Sequence, residues 1–221
     1  MPRPSRNLDQ ALLAAGRALF PERGCAGLSL REVADSAGVN LGMFHYHFGS
    51  REVFLRTLMQ QAYEEMFATL TLEAGRDDDP VENLRAALRV LGRFLRDNRP
   101  FISRILADAL SGEACARDFM RDNGPRHLAV LQKYAAEGQQ AGTLQALPMP
   151  QLLGTCAGAL AMPIIVGGAI AQSGALPPPA AKMLEATLLS DAAIDQRIDL
   201  VIAAISQQPA PTPRKKSRGK P

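Results

Sequence analysis

Apolar residues recur every three to four positions along most of this chain, and no run alternates with the two-residue period of a strand. That pattern confines the chain to packed helices, and the fold class read from it is all-α. Leu8, Leu12, Ala15 and Leu19 make one stripe of a helix over about 8–23, with Gly24 as its stop. Ser29-Leu30-Arg31-Glu32 has the form of a capping box opening a short second helix. Ala37-Gly38-Val39 ends that helix, and Asn40 caps a third that closes near Phe48. Ser50 then caps a long fourth helix running to about Glu73. Helices over about 81–97, 100–110, 114–122, 125–141, 150–172 and 191–206 are expected beyond it, separated by Gly- and Pro-bearing breaks.

Residues 29–48 hold two short helices about a glycine turn, the length and punctuation of a helix-turn-helix, whose second helix enters the DNA major groove. Leu30, Val33, Ala34, Val39, Phe44 and Phe48 are spaced to pack this pair on the first helix. By themselves these spacings also fit an ordinary helical hairpin. Gly24, then Leu28-Ser29-Leu30-Arg31-Glu32-Val33-Ala34, then Ala37-Gly38-Val39, then Phe44-His45-Tyr46-His47-Phe48-Gly49-Ser50-Arg51-Glu52, resembles the tetracycline-repressor (TetR) family of transcriptional regulators. The resemblance is specific over about residues 8–55. It implies an N-terminal three-helix helix-turn-helix domain followed by a C-terminal helical ligand-binding and dimerisation domain. It also implies a homodimer on palindromic operator DNA, released by a small-molecule effector. Two positions depart from the usual family pattern: His45 replaces a Tyr in the recognition helix, and Arg51 replaces the Lys that opens the fourth helix.

Helix geometry assigns roles inside this segment. Phe44 and Phe48 should face the core, leaving Leu41, Gly42, Met43 and His45 toward base edges. Leu41 and Met43 would offer apolar contact to a thymine methyl, and Gly42 close approach. Arg31 is the candidate for bidentate guanine readout. Ser29, Tyr46, His47 and Arg51 suit phosphates, which position the module without reading sequence. Arg3 and Arg6 could reach a minor groove from an N-terminal arm.

Charge sets limits on how DNA is bound. The formal net charge is +3, but residues 208–221 carry five cations and no acid, leaving −2 for residues 1–207. A weakly acidic body does not coat nucleic acid by bulk charge, so recognition must be local and shaped. The resemblance implies domains at 1–50 for DNA and 51–207 for effector and partner chain, and composition sets apart a disordered basic tail over 208–221. Three widely spaced cysteines, at 25, 115 and 156, read as reduced cytoplasmic thiols with no basic cluster beside them.

Phe67, Leu91, Phe94, Phe101, Ile105, Phe119, Leu131 and Tyr134 are candidates to line an effector pocket, and the shortage of charge among them points to an apolar or aromatic ligand. Gly154 and Gly158, four apart, with Ile194, Ile198, Val201, Ile202 and Ile205, are expected to form a dimer interface of two helices from each chain. Leu152 to Ala171 is apolar enough to be tested as a membrane span. Pro163 and the high Gly/Ala content make it a buried helix of a soluble protein instead. His45 and His47 point about 200° apart on a helix and cannot share a metal ion. With no Gly-rich phosphate loop and no nucleophile elbow, the chain is read as neither an enzyme nor a cofactor protein. A helical protein-interaction module remains the alternative.

Overall fold

A computed structural model describes residues 6–207. The side chains of Arg3 and Arg6 and the basic tail over 208–221 lie outside the described residues. The helices are α1 (Arg6–Gly27), α2 (Leu30–Ser36), α3 (Leu41–Phe48), α4 (Arg51–Glu73), α5 (Pro80–Asp97), α6 (Arg99–Ser111), α7 (Ala114–Gln140), α8 (Met149–Met162), α9 (Gly168–Gln172), α10 (Pro178–Leu189) and α11 (Asp191–Ile205). Among the described residues extended pairing is limited to one isolated bridge, Leu144 with Ser206.

Two apolar cores organise the chain. The first buries Leu12 and Phe20 of α1, Val33 of α2, Phe44 and Phe48 of α3, and Phe54 and Leu58 of α4. Phe44, Phe48 and Phe54 form a closed trio with ring centroids 4.9–5.4 Å apart. Each fully buried ring of this kind contributes about 1.5–3 kcal/mol of transfer free energy. Phe101 and Ile105 of α6 and Ala116 of α7 belong to this same core, so α1–α3 share their apolar interior with the following helices. Phe20 meets Phe101 at 4.9 Å across that seam. The second core joins α4, α5, α7, α8 and α11.

On the outside of the second core, α5 and α11 are laced by charge. Arg85 pairs with Asp199, Arg89 with Asp195 at 2.7 Å, and Arg96 with Asp191. Arg93 lies 3.6 Å from Asp191 and 3.7 Å from Asp195. Beneath the charges, a Cβ added to Gly92 would sit 3.0 Å from Ile194 and 3.1 Å from Leu160, so α5 is approached closely there by both α11 and α8.

Several helix boundaries differ from the sequence expectation. α7 runs unbroken through Pro125, where the sequence predicts a break between two helices. A proline removes one amide and one hydrogen bond, and here the packing of Asn123, Leu131 and Tyr134 on either side holds the helix together. The stretch 150–172 is interrupted instead by a π turn over Pro163–Gly167, where the missing proline amide is absorbed by a wider turn. Helix α10 is absent from the sequence expectation, because Pro177-Pro178-Pro179 reads as a breaker. Pro178 and Pro179 occupy the first helical positions, where the lost amides cost nothing. Finally, α1 continues one turn past Gly24, although Gly24 itself leaves helical geometry with φ 64° and ψ −171°.

Candidate DNA-binding face and effector cavity

Three side-chain caps shape the N-terminal module. Ser29 Oγ accepts from the Glu32 amide at 3.5 Å, Asn40 Oδ1 from the Gly42 amide at 2.7 Å, and Ser50 Oγ from the Val53 amide at 3.2 Å. The expected capping box is only half made. The Glu32 carboxylate turns to Arg23, whose Nη2 donates to it at 2.8 Å, and this holds the glutamate below its ordinary pKa. Ser29, Arg31, Gly42, His45 and Tyr46 are exposed, Tyr46 to 68 %. Arg31 has no ion-pair partner among the described residues. His45 Nδ1 lies 3.2 Å from the Gly49 carbonyl at the end of α3.

The structure moves four of the expected contacts. Leu41 packs partly against the first core, and Met43 is half-buried, so neither stands free on the outer face. His47 turns its Nε2 inward, where it has no hydrogen-bond partner. Arg51 is the clearest correction. Its Nε donates to the Leu28 carbonyl at 3.1 Å and its Nη2 to the Cys25 carbonyl, so the guanidinium ties α4 to the end of α1 and does not point at a phosphate.

Arg51 is one half of a latch that sequence reasoning missed. The Cys25 amide donates to Asp108 Oδ2 at 2.6 Å, and Arg104 Nε sits 2.9 Å from Asp108 Oδ1. The Arg104 guanidinium lies against Gly24, where any Cβ would come closer than 3.0 Å to it. Cys115 of α7 packs at the edge of the same core that buries Cys25. The neighbouring Cys25 thiol and the field of Arg56 hold Cys115 below the usual thiol value, against desolvation and the acids Asp118 and Glu52. Cys115 in turn, with burial, pushes Cys25 far up. No local motif announces this cluster, because its members come from α1, α4, α6 and α7.

Behind the latch lies a cavity of about 340 Å³, within the range of small-molecule sites. Of the eight expected lining residues, Leu91, Phe94, Phe101, Ile105, Phe119 and Leu131 border it. Phe67 and Tyr134 do not. The Arg126 guanidinium stacks 4.3 Å from the Phe67 ring centroid, and Tyr134 is buried in the second core. Among the described residues no Lys, Arg, Asp or Glu borders the cavity. Its polar end is Tyr63, Asn123 and His127. Tyr63 donates to the Asn123 carbonyl at 2.9 Å, and His127 Nδ1 lies 3.5 Å from the Tyr63 oxygen. The Asn123 amide forms a two-way pair with the Gln60 amide, 3.0 Å in each direction. Desolvation lowers the His127 pKa.

The dimer expectation also needs correcting. Ile194, Ile198, Val201, Ile202 and Ile205 are all buried within the protomer's own second core and are not available to a second chain. Gly154 and Gly158 are exposed, with open space where a side chain would stand. They share α8 and its extension with the exposed Met162, Val166 and Ile170, while α11 exposes Leu200 to 65 %. Met149–Gln172 is long and apolar enough to cross a membrane by length and composition. The expectation of a buried helix holds for one stripe only. The segment is interrupted at Pro163 and packs Leu152, Cys156, Leu160 and Ile164 into the core, and it leaves most of its length exposed or half-buried.

These features define a helix-turn-helix module set on a helical body that encloses an apolar cavity. Residues 12–58 match the family model described as bacterial regulatory proteins, tetR family. A transcriptional repressor of Mycobacterium tuberculosis (strain H37Rv) is 32 % identical over 104 residues, covering 45 % of this chain and 53 % of that protein. The repressor NemR of Escherichia coli K12 is 31 % identical over 132 residues, 57 % of this chain and 65 % of NemR. The chain thus spans about half the length of the first curated relatives it matches. FadR of Bacillus subtilis, solved with stearoyl-CoA, shares the fold with a TM-score of 0.68 at 15 % identity, over 89 % of this chain and 98 % of FadR. PfmR of Thermus thermophilus does so at 0.64 and 20 %, over 87 % and 97 %. Residues 12–58 thus carry a module similar to that of the tetR family, on a body that shares the fold of these solved regulators.

Proposed function

We propose that this protein is a repressor that binds a palindromic operator as a homodimer in the cytoplasm and leaves it when an apolar effector fills the cavity. The observation that carries the reading is the outer face of the N-terminal module. Ser29, Arg31, Gly42, His45 and Tyr46 stand exposed together there, while the aromatic trio holds α3 rigidly behind them. Residues 1–50 would act as the reading unit and 51–207 as the effector and dimer unit. Arg31 would read a guanine, and Ser29, Tyr46 and the backbone at the helix starts would take phosphates. The second chain would dock on the exposed faces of α8 and α11, through Gly154, Gly158, Met162 and Leu200. Ligand in the cavity would push on Phe101 and Ile105, which belong also to the core beneath α1–α3. Such a push changes the spacing of the two recognition helices away from one helical turn of DNA, about 34–36 Å.

The cavity's polar end narrows the effector. Tyr63 uses its proton on the Asn123 carbonyl, so its oxygen would accept from His127 Nδ1, 3.5 Å away, in the tautomer that carries the ring proton there. Desolvation favours the neutral ring, and in that tautomer Nε2 would be an acceptor. An apolar molecule carrying one hydroxyl fits this arrangement, and a carboxylate does not.

Fluorescence anisotropy with palindromes from the flanking DNA tests the reading. Specific binding should exceed random duplex by about 10³ or more. Arg31→Ala should relax the preference at one base pair, at a cost of about 1–3 kcal/mol. A purified dimer that prefers no sequence over random duplex refutes the proposal. In the effector assay 1-naphthol should release DNA at lower concentration than naphthalene or 1-naphthoate, and His127→Leu should remove the advantage over naphthalene. Equal potency of all three ligands overturns the acceptor assignment.

A further inference from the structure

We propose that Cys115 and Cys25 form a dithiol that a hydroperoxide oxidises to a disulfide, covalently joining the end of α1 to the start of α7. The two sulfurs come from segments 90 residues apart in sequence, yet both segments are anchored on one residue. Asp108 receives the Cys25 amide on its carboxylate at 2.6 Å. Its backbone carbonyl receives the amide of Glu113 at 2.9 Å, two positions before Cys115. Both cysteines pack on the first core, Cys25 within it at 2 % exposure and Cys115 half-buried at its edge.

This asymmetry divides the labour. Cys115 is reachable by an oxidant and lies in the field of the Arg56 guanidinium. Cys25 is enclosed, and its neighbour Cys115 and burial hold its proton in place, whereas Cys115 is held below the usual thiol value. In the first step the Cys115 thiolate attacks the outer peroxide oxygen. An S–O bond forms and the O–O bond breaks. The sulfur is oxidised to a sulfenic acid and the peroxide leaves as an alcohol, having taken a proton from water. In the second step the Cys25 sulfur attacks the sulfenic sulfur. The S–S bond forms, the S–O bond breaks, and the departing hydroxide leaves as water with the Cys25 proton. Two thiols and one hydroperoxide thus give one disulfide, one alcohol and one water. Cys156 takes no part. It is wholly buried in the second core, its thiol pushed up to about 11.

The bond would fasten the DNA-reading helices to the cavity-bearing body at the seam across which effector binding is transmitted. Oxidised protein would then keep its operator affinity whether or not ligand is present. This consequence rests on the repressor reading, whereas disulfide formation does not.

The test uses reduced full-length protein and one equivalent of cumene hydroperoxide. Free thiols, counted after denaturation, should fall from three to one, the number expected if only Cys156 is spared. Trypsin should release Gly24–Arg31 joined to Ile105–Arg117, with the loss of two hydrogens. Cys25→Ser should stop at a sulfenic acid that dimedone traps, and Cys115→Ser should keep both remaining thiols. Loss of thiol without that cross-link, or equal reactivity in Cys115→Ser, overturns the proposal. In the DNA arm, oxidised protein should show no shift in operator affinity with 1-naphthol, and dithiothreitol should restore the shift. A cross-linked protein that still responds fully refutes the regulatory consequence. A reduced protein that binds no operator refutes only the repressor reading.

Discussion

Replacing Gly24 by alanine should be among the most damaging single-methyl changes in the molecule. Gly24 has φ 64° and ψ −171°, a region open almost only to glycine, and forcing another residue there costs about 1–3 kcal/mol. The new methyl would also come closer than 3.0 Å to the Arg104 guanidinium. Arg104 must then withdraw from Asp108, whose carboxylate is only 3 % exposed and keeps just the Cys25 amide. Separating this ion pair, whose carboxylate is buried, costs about 1.5–3 kcal/mol, the scale of a charge-assisted contact. The two effects together give about 2.5–6 kcal/mol. For a chain of this size each kcal/mol lowers Tm by about 2–4 °C, so a fall of about 10 °C is expected by circular dichroism at 222 nm. A double-mutant cycle separates the parts. In an Arg104→Ala background, Gly24→Ala should cost only the backbone contribution, giving a coupling of about 1.5–3 kcal/mol. A drop of less than about 2 °C for Gly24→Ala, or strict additivity with Arg104→Ala, would refute the reasoning.

Arg51→Ala removes two charged donors from the Leu28 and Cys25 carbonyls and should lower stability by about 2 kcal/mol or more, with the salt slope of DNA binding unchanged. A slope reduced by about 1 at unaltered stability would return Arg51 to a phosphate. Folding should also depend on His127. Its folded pKa lies below the ordinary value of 6.5, so the unfolded chain takes up the proton first as pH falls. The stability contributed by the neutral ring is complete above about pH 6.5 and is lost as pH drops through 6.5 toward the lowered folded value. Urea unfolding from pH 8 to 5 should show this loss in the wild type and a smaller one in His127→Leu. Identical pH profiles would rule it out.

The N-terminal module is legible in the sequence because its signals are local. Caps at Ser29, Asn40 and Ser50 and the spacing of Phe44 and Phe48 act within a few residues, and each does in the structure what its chemistry requires. Misreadings arise where distant packing decides. Pro125 and Pro178 are breakers by propensity, but helix N-termini and flanking buried side chains tolerate them. The isoleucines of α11 are apolar enough for an interface, but periodicity alone does not say which neighbour covers a stripe. Arg51 looks like a phosphate ligand because nothing local reveals the carbonyls of Cys25 and Leu28, more than twenty residues earlier. Of the cavity, the aromatic positions on α5, α6 and α7 are readable, and the polar end at Tyr63, Asn123 and His127 is not. Those three are scattered among polar residues on α4 and α7, and only burial distinguishes them.

Arg93 stands almost midway between two acceptors on α11, and its neighbours along α5 repeat at the same pitch as the aspartates facing them. Displaced by one helical turn, such a row meets nearly the same set of partners, so the charges choose which helix lies alongside without determining where along its length it stops. That choice falls to the notch at Gly92, which admits Ile194 and Leu160 and would admit nothing one turn away, where Leu88 and Arg96 carry full side chains. In this pair of helices attraction selects the companion, and a missing side chain sets the alignment.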